Sequence, residues 1–149
     1  MQDSDYFTLS IAGVSLIISI VSIIVSSKYS KISLIHSLHE LALQKAKDCN
    51  TLYGIAQYTE SQTINELTTQ IKMIDTISEI TISVQLIDQS ARAYYLKGRR
   101  TFFLLQFWTQ LNTSLRFFLK QGSFHHLPTA TQNQLSIIVK TFATFFKHY

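Results

Sequence analysis

A single cysteine, a single proline and four glycines are all that this 149-residue chain has of the residues that staple or break a fold. The lone Cys49 excludes an intramolecular disulfide framework and fits a reducing compartment. It lies too far beyond the apolar N-terminal run for juxtamembrane palmitoylation, so a packed thiol is expected. Pro128 and the glycines Gly13, Gly54, Gly98 and Gly122 are few for a chain rich in Leu, Ile, Gln, Lys and Ala. Long helices and short turns follow. Ile and Thr are also common and would suit strands, so periodicity must arbitrate.

Acidic residues are missing from Gln89 to Tyr149, because all nine fall at or before Asp88. Eight Lys and Arg occupy that same stretch, with Trp108 and most of the Phe and Tyr. The net charge of +4 therefore hides a basic, aromatic C-terminal half. Charge of either sign is missing from Phe7 to Val25, FTLSIAGVSLIISIVSIIV, which Asp5 and Lys28 bound. At about 1.5 Å per helical residue this run just crosses a hydrocarbon core of about 30 Å. Its β-branched residues are no obstacle in lipid, where every backbone group must pair internally.

We read residues 7–27 as a transmembrane helix, 1–6 as a short extracytoplasmic tip and 28–149 as a cytoplasmic helical bundle. A cleaved signal peptide would begin with Lys or Arg, whereas Asp3 and Asp5 precede the run and Lys28 and Lys31 follow it. The positive-inside rule then predicts a single-pass protein of the inner (plasma) membrane, N-terminus outside. Within the span, Thr8, Ala12, Ser15, Ser19, Ser22 and Ser26 fall on one narrow face, opposite Leu16, Ile17, Ile20 and Ile24. Small residues and hydroxyls make such a face a packing surface between membrane helices, so Ser15, Ser19, Ser22 and Ser26 are candidates for self-association. The competing reading is that each serine bonds to its own preceding turn. Ser30, Ser33 and Ser37 continue the line on what is expected to be a solvated side.

Beyond the span, helices are expected over about 28–58, 61–97, 101–120 and 128–148. The first has Ile32, Ile35, Leu38, Ala42, Cys49 and Tyr53 on one side, opposed by Glu40, Gln44 and Asp48. The second, capped by Ser61 or Thr63, carries a coiled-coil-like seam. That seam is Ile64, Leu67, Ile71, Ile74, Ile77, Ile80, Val84, Ile87, Ala91 and Tyr94, with a stutter near Ile77. Ile80 to Val84 alternates like a strand, but no partner strand is visible. Gly98 is expected to end this helix in a left-handed conformation. The third places Phe103, Leu104, Phe107, Trp108, Leu111, Leu115, Phe118 and Leu119 together. Gln106, Gln110, Asn112 and Arg116 make its insertion into lipid costly. Pro128 opens the fourth, which holds Leu135, Ile138, Val139, Phe142, Phe145 and Phe146. The fold class is all-α.

No catalytic constellation emerges. His36, His39 and Glu40 share a turn, but Leu43 stands where a zincin motif needs its second His. Two histidines three residues apart lack a convincing third ligand, and His125-His126 is equally weak. Arg116 and His125 are spaced more widely than the Arg and His of some helical ribonucleases. Gly98 with Arg99 and Arg100 lacks the repeated glycines of a phosphate loop. Asn112-Thr113-Ser114 matches a glycosylation sequon inside a cytoplasmic helix, where it has no meaning. We expect no enzyme activity, cofactor or metal.

Three functions remain. The first is a membrane-anchored, self-associating protein acting on anionic head groups through Arg92, Lys97, Arg99, Arg100, Arg116, Lys120, Lys140 and Lys147. The second is a tethered adaptor for another helical protein. The third, less favoured, is a tethered nucleic-acid binder. The layout resembles small single-span bacterial proteins with cytoplasmic helical domains, some encoded beside toxin or phage-defence genes. That resemblance carries no motif; it implies a membrane-disrupting or membrane-signalling effector.

Overall fold

The computed structural model describes residues 3–61, 66–121 and 127–146. These form α1 (Asp3–Ser61), α2 (Glu66–Ala93), a 3-10 turn (Lys97–Arg99), α3 (Arg100–Gln110), α4 (Thr113–Gln121) and α5 (Thr129–Phe142). No strand occurs among the described residues, and Ile80 to Val84 is helical. The chain divides into two units, Met1–Ser37 and Leu38–Tyr149.

In the first unit every large apolar side chain from Val14 to Val25 is at least 44 % exposed. Covering such surface is worth about 25 cal/mol per Å², so water is a poor solvent for it. This part of α1 is long and apolar enough to cross a membrane. On the serine face, the Ser19 hydroxyl donates to the Ser15 carbonyl at 2.8 Å, and Ser37 donates to Ser33 at 3.0 Å. These two serines use their protons within the helix, as the competing reading requires, and keep only acceptor capacity for a neighbour.

The second unit is a helical bundle with a continuous core. From α1 come Leu38, Ala42, Ala46, Cys49, Tyr53 and Ala56, all buried and spaced by three or four to make one stripe. α2 packs against α3 and α5, and α4 packs against α5. The part of α1 in this unit is joined to its neighbours by named contacts. Lys45 pairs with Glu79 of α2 at 2.9 Å, and Tyr53 meets Phe118 of α4 with ring centroids 5.5 Å apart. Between α3 and α5, Trp108 stacks on Phe142 at 4.9 Å, and Phe107 stacks on the same ring at 6.0 Å. Such aromatic pairs add about 0.5–1.5 kcal/mol each beyond their burial.

The expected third helix is broken. Its apolar face is buried as anticipated, Phe118 being half-buried, but α3 stops at Gln110 and Leu111 turns extended, with φ −63° and ψ 140°. Asn112 then caps α4, its side-chain oxygen accepting the Leu115 N–H at 2.7 Å. Asn50 of α1 reaches into the gap from the side. Its amide donates to the Gln110 carbonyl at 2.9 Å and accepts the Asn112 N–H at 2.7 Å. Backbone groups freed by the break are thus satisfied by side chains distant in sequence.

The expected second helix also ends early, at Ala93, and Gly98 is not its left-handed residue. That residue is Tyr95, with φ 56°. The Leu96 N–H bonds to the Ala91 carbonyl at 2.8 Å and the Tyr95 N–H to the Arg92 carbonyl at 3.1 Å. This pair is a Schellman motif with tyrosine where glycine is usual. The early stop lets the chain reverse so that Arg100 returns to Asp88. Along α2 the buried line runs Ile77, Ile80, Ser83, Ile87 and Ala91, passing through Ser83 rather than Val84. Leu67, Ile71 and Tyr94 of the anticipated seam are exposed. Ile64 and Thr63 lie outside the described residues. At the other helix ends, α1 runs to Ser61, and α5 stops at Phe142 with a turn through Phe146.

Two stability changes follow. Asn50→Ala should lower the stability of the detergent-solubilised chain by about 1–3 kcal/mol, because both backbone partners lose their bonds. Tyr95→Gly should raise it by about 0.5–1 kcal/mol, since glycine relieves the left-handed strain and Tyr95, 90 % exposed, gives up almost no packing. Thermal unfolding followed by circular dichroism measures both; an unchanged midpoint for Asn50→Ala would refute the clamp.

Candidate functional site: the basic turn between α2 and α3

Four of the cations anticipated as a binding surface fall on the turn between α2 and α3. Arg92 pairs with Asp88 through Nη2 at 2.9 Å, and Arg100 also reaches Asp88, through Nε. Asp88 is the last acid in the chain and its side chain is only 17 % exposed, so one carboxylate offsets one of two guanidinium charges. Arg99 is exposed and makes no ion pair among the described residues. Lys97 lies in the 3-10 turn. Together these put Arg92, Lys97, Arg99 and Arg100 within one reversal of the chain.

Three of the others belong to later helices. Arg116, on α4, is half-buried, and its Nε is buried without a hydrogen-bond partner among the described residues. Lys120 and Lys140 are exposed in the last turns of α4 and α5, where a cation complements the helix dipole. Lys147 lies outside the described residues. Ser15, Ser22 and Ser26 are exposed on the first unit.

Aromatic side chains flank the basic turn: Tyr94 is 46 % exposed, Tyr95 90 % and Phe102 48 %. Its position in the bundle follows from the pairing of α1 with α3 and α4. His39 Nδ1 lies 2.7 Å from Gln106 Oε1, Asn50 binds at Gln110 and Asn112, and Tyr53 meets Phe118. The partners rise together, so α3 and α4 follow α1 in the same direction. Gln106 faces His39, one residue from Leu38, so the start of α3 lies at the Leu38 end of the bundle. The turn sits where the second unit's share of α1 begins. Glu40 is the exposed acid of α1 nearest that end.

Guanidinium groups beside exposed phenols suit a ligand rich in phosphate or carboxylate oxygens. The described residues hold no group of three His, Cys, Asp or Glu able to share a metal. His39 is spent on bridging α1 to α3, His36 is exposed, and His125 and His126 lie outside the described residues. The Arg116–His125 pair falls outside with them. Sequence reasoning missed Asn50 and the shared role of Asp88. The i,i+4 spacing of Asp88 and Arg92 was a readable signal, but the return of Arg100 was not.

Cys49 is fully buried, as expected of a packed thiol. Its Sγ lies 3.9 Å from Ser83 Oγ, and burial pushes its pKa up to about 12. A raised pKa in the folded chain keeps the thiol protonated while the unfolded chain ionises from about pH 9 upward. Its contribution to stability is complete below that value and declines as pH rises toward about 12. Maleimide should accordingly leave the folded chain unlabelled at pH 7.5 to 8, about where free thiols react, and label it fully in denaturant. Rapid labelling of the native chain would contradict the packing.

No protein-family model, curated protein or solved structure matches this chain.

Proposed function

We propose that this is a single-span membrane protein whose second unit works in the cytoplasm, on the anionic inner face of the plasma membrane. The exposed apolar surface from Val14 to Val25 carries this reading, since lipid is the solvent that such a surface fits. Asp3 and Asp5 before the span, and Lys28 and Lys31 after it, support an outside N-terminus. The acid-free, aromatic half supports action on anionic lipid. The role that fits is a self-associating effector that disturbs or signals across the membrane, without enzyme chemistry.

A second reading, a tethered adaptor for a helical protein, draws on α2. Ile71, Ile82 and Leu86 are exposed along one line of that helix, 47 %, 53 % and 38 % respectively. Such a line suits a partner helix or a second copy in coiled-coil fashion. The nucleic-acid reading has less support, because Asp88 offsets part of the densest cationic cluster.

The chain should resist carbonate extraction from membranes. A cysteine introduced by Asp3→Cys should react with an impermeant maleimide in intact cells, and one introduced by Lys120→Cys only after permeabilisation. The reverse pattern would invert the orientation, and release by carbonate would remove the membrane reading. Expression should depolarise the membrane or arrest growth; stable insertion without either effect would favour the adaptor.

A further inference from the structure

Tyr95 occupies the one described non-glycine position with positive φ, at 56°, and is the most exposed large hydrophobic side chain among the described residues at 90 %. A tyrosine there strains the backbone and gains almost nothing from packing, although glycine would suit the turn. What it supplies is an aromatic group on the outside of a basic reversal. Tyr94 and Phe102 are half-exposed beside it in sequence, and Arg99 is exposed without an ion pair among the described residues. From Asp88 to Phe102 the charges are four cations and one acid. This turn lies at the end of the bundle where its share of α1 begins.

We propose that the turn from Arg92 to Phe102 is an interfacial foot. It seats the bundle on anionic phospholipid, with Tyr95 at head-group level and Arg99 beside the phosphates. The inference rests on the membrane reading and names the surface that would act there. Three observations select lipid as the occupant. Tyrosine is enriched at membrane–water interfaces, where one end of its ring is apolar and the other wet. The cations are complementary to an anionic leaflet. The tether keeps that leaflet at high effective concentration, so a small contact suffices. A nucleic acid would want a longer cationic track, whereas Arg116, Lys120 and Lys140 stand on other elements.

The test uses the full chain reconstituted in vesicles, with Ala93→Cys, an exposed position, carrying an environment-sensitive fluorophore. Buried Cys49 leaves the new thiol as the reactive one. In vesicles of phosphatidylcholine with phosphatidylserine, iodide quenching should fall about twofold or more relative to phosphatidylcholine alone. High salt should abolish that protection. Tyr95→Gly and Arg99→Gln should each reduce it, while the thermal midpoint holds or, for Tyr95→Gly, rises. A purely structural role for Tyr95 could not produce that opposition. Equal quenching in both lipids, with the chain still resistant to carbonate, would overturn the foot and leave the membrane reading standing. Equal protection of a label at Lys120→Cys would overturn the assignment to this turn. Protection by a single-stranded oligonucleotide in phosphatidylcholine vesicles would overturn the choice of lipid.

Discussion

One side-chain amide holds the bundle's architecture in place. Asn50 of α1 binds the carbonyl that α3 leaves open and the N–H of the residue that caps α4. Without it, the break at Leu111 and Asn112 would leave the part-buried Asn112 N–H unpaired, worth about 1–3 kcal/mol, and the exposed Gln110 carbonyl to water. With it, α3 and α4 stay separate helices, and each directs its apolar side inward. Phe103, Phe107 and Trp108 are buried from α3, and Leu115 and Leu119 from α4. The clamp also fixes α3 and α4 alongside α1, which places the basic turn at one end of the bundle.

Charge is treated differently at the two ends of α2. Near its middle, Glu79 pairs with Lys45 of α1, and this neighbour holds the Lys45 pKa above its ordinary value. At its C-terminus, the partly buried Asp88 serves two arginines. Removing Asp88 would free both guanidinium groups but loosen the reversal that gathers them. The chain keeps one acid there and none afterwards, a compromise between holding the turn and leaving it basic.

The aromatic residues likewise divide into two populations. Trp108, Phe103, Phe107 and Phe142 are wholly buried and make the core between α3 and α5. Tyr95, Phe102 and Phe117 are exposed to roughly half or more. Composition alone cannot separate them, because both sets fall within the same acid-free stretch. Packing does: a ring is core only where a facing helix supplies the other wall.

Much of the layout was legible in the amino-acid sequence. A charge-free apolar run, few breakers and a 3.6-residue period determined an all-α chain with one helix suited to lipid, since these are properties of neighbours along the chain. The buried stripe of α1 from Leu38 to Tyr53, with Cys49 in it, and that of α3 with α4 followed from the same spacing, whereas Ile32, expected on the same side, is exposed. Contacts across the bundle decided the rest. The break at Leu111 is stable because Asn50, sixty-two positions before Asn112, completes its hydrogen bonds. Tyr95, not Gly98, holds the left-handed position in the reversal that brings Arg100 back to Asp88. Those features depend on groups that meet only after the helices pack, which no local preference along the chain reveals.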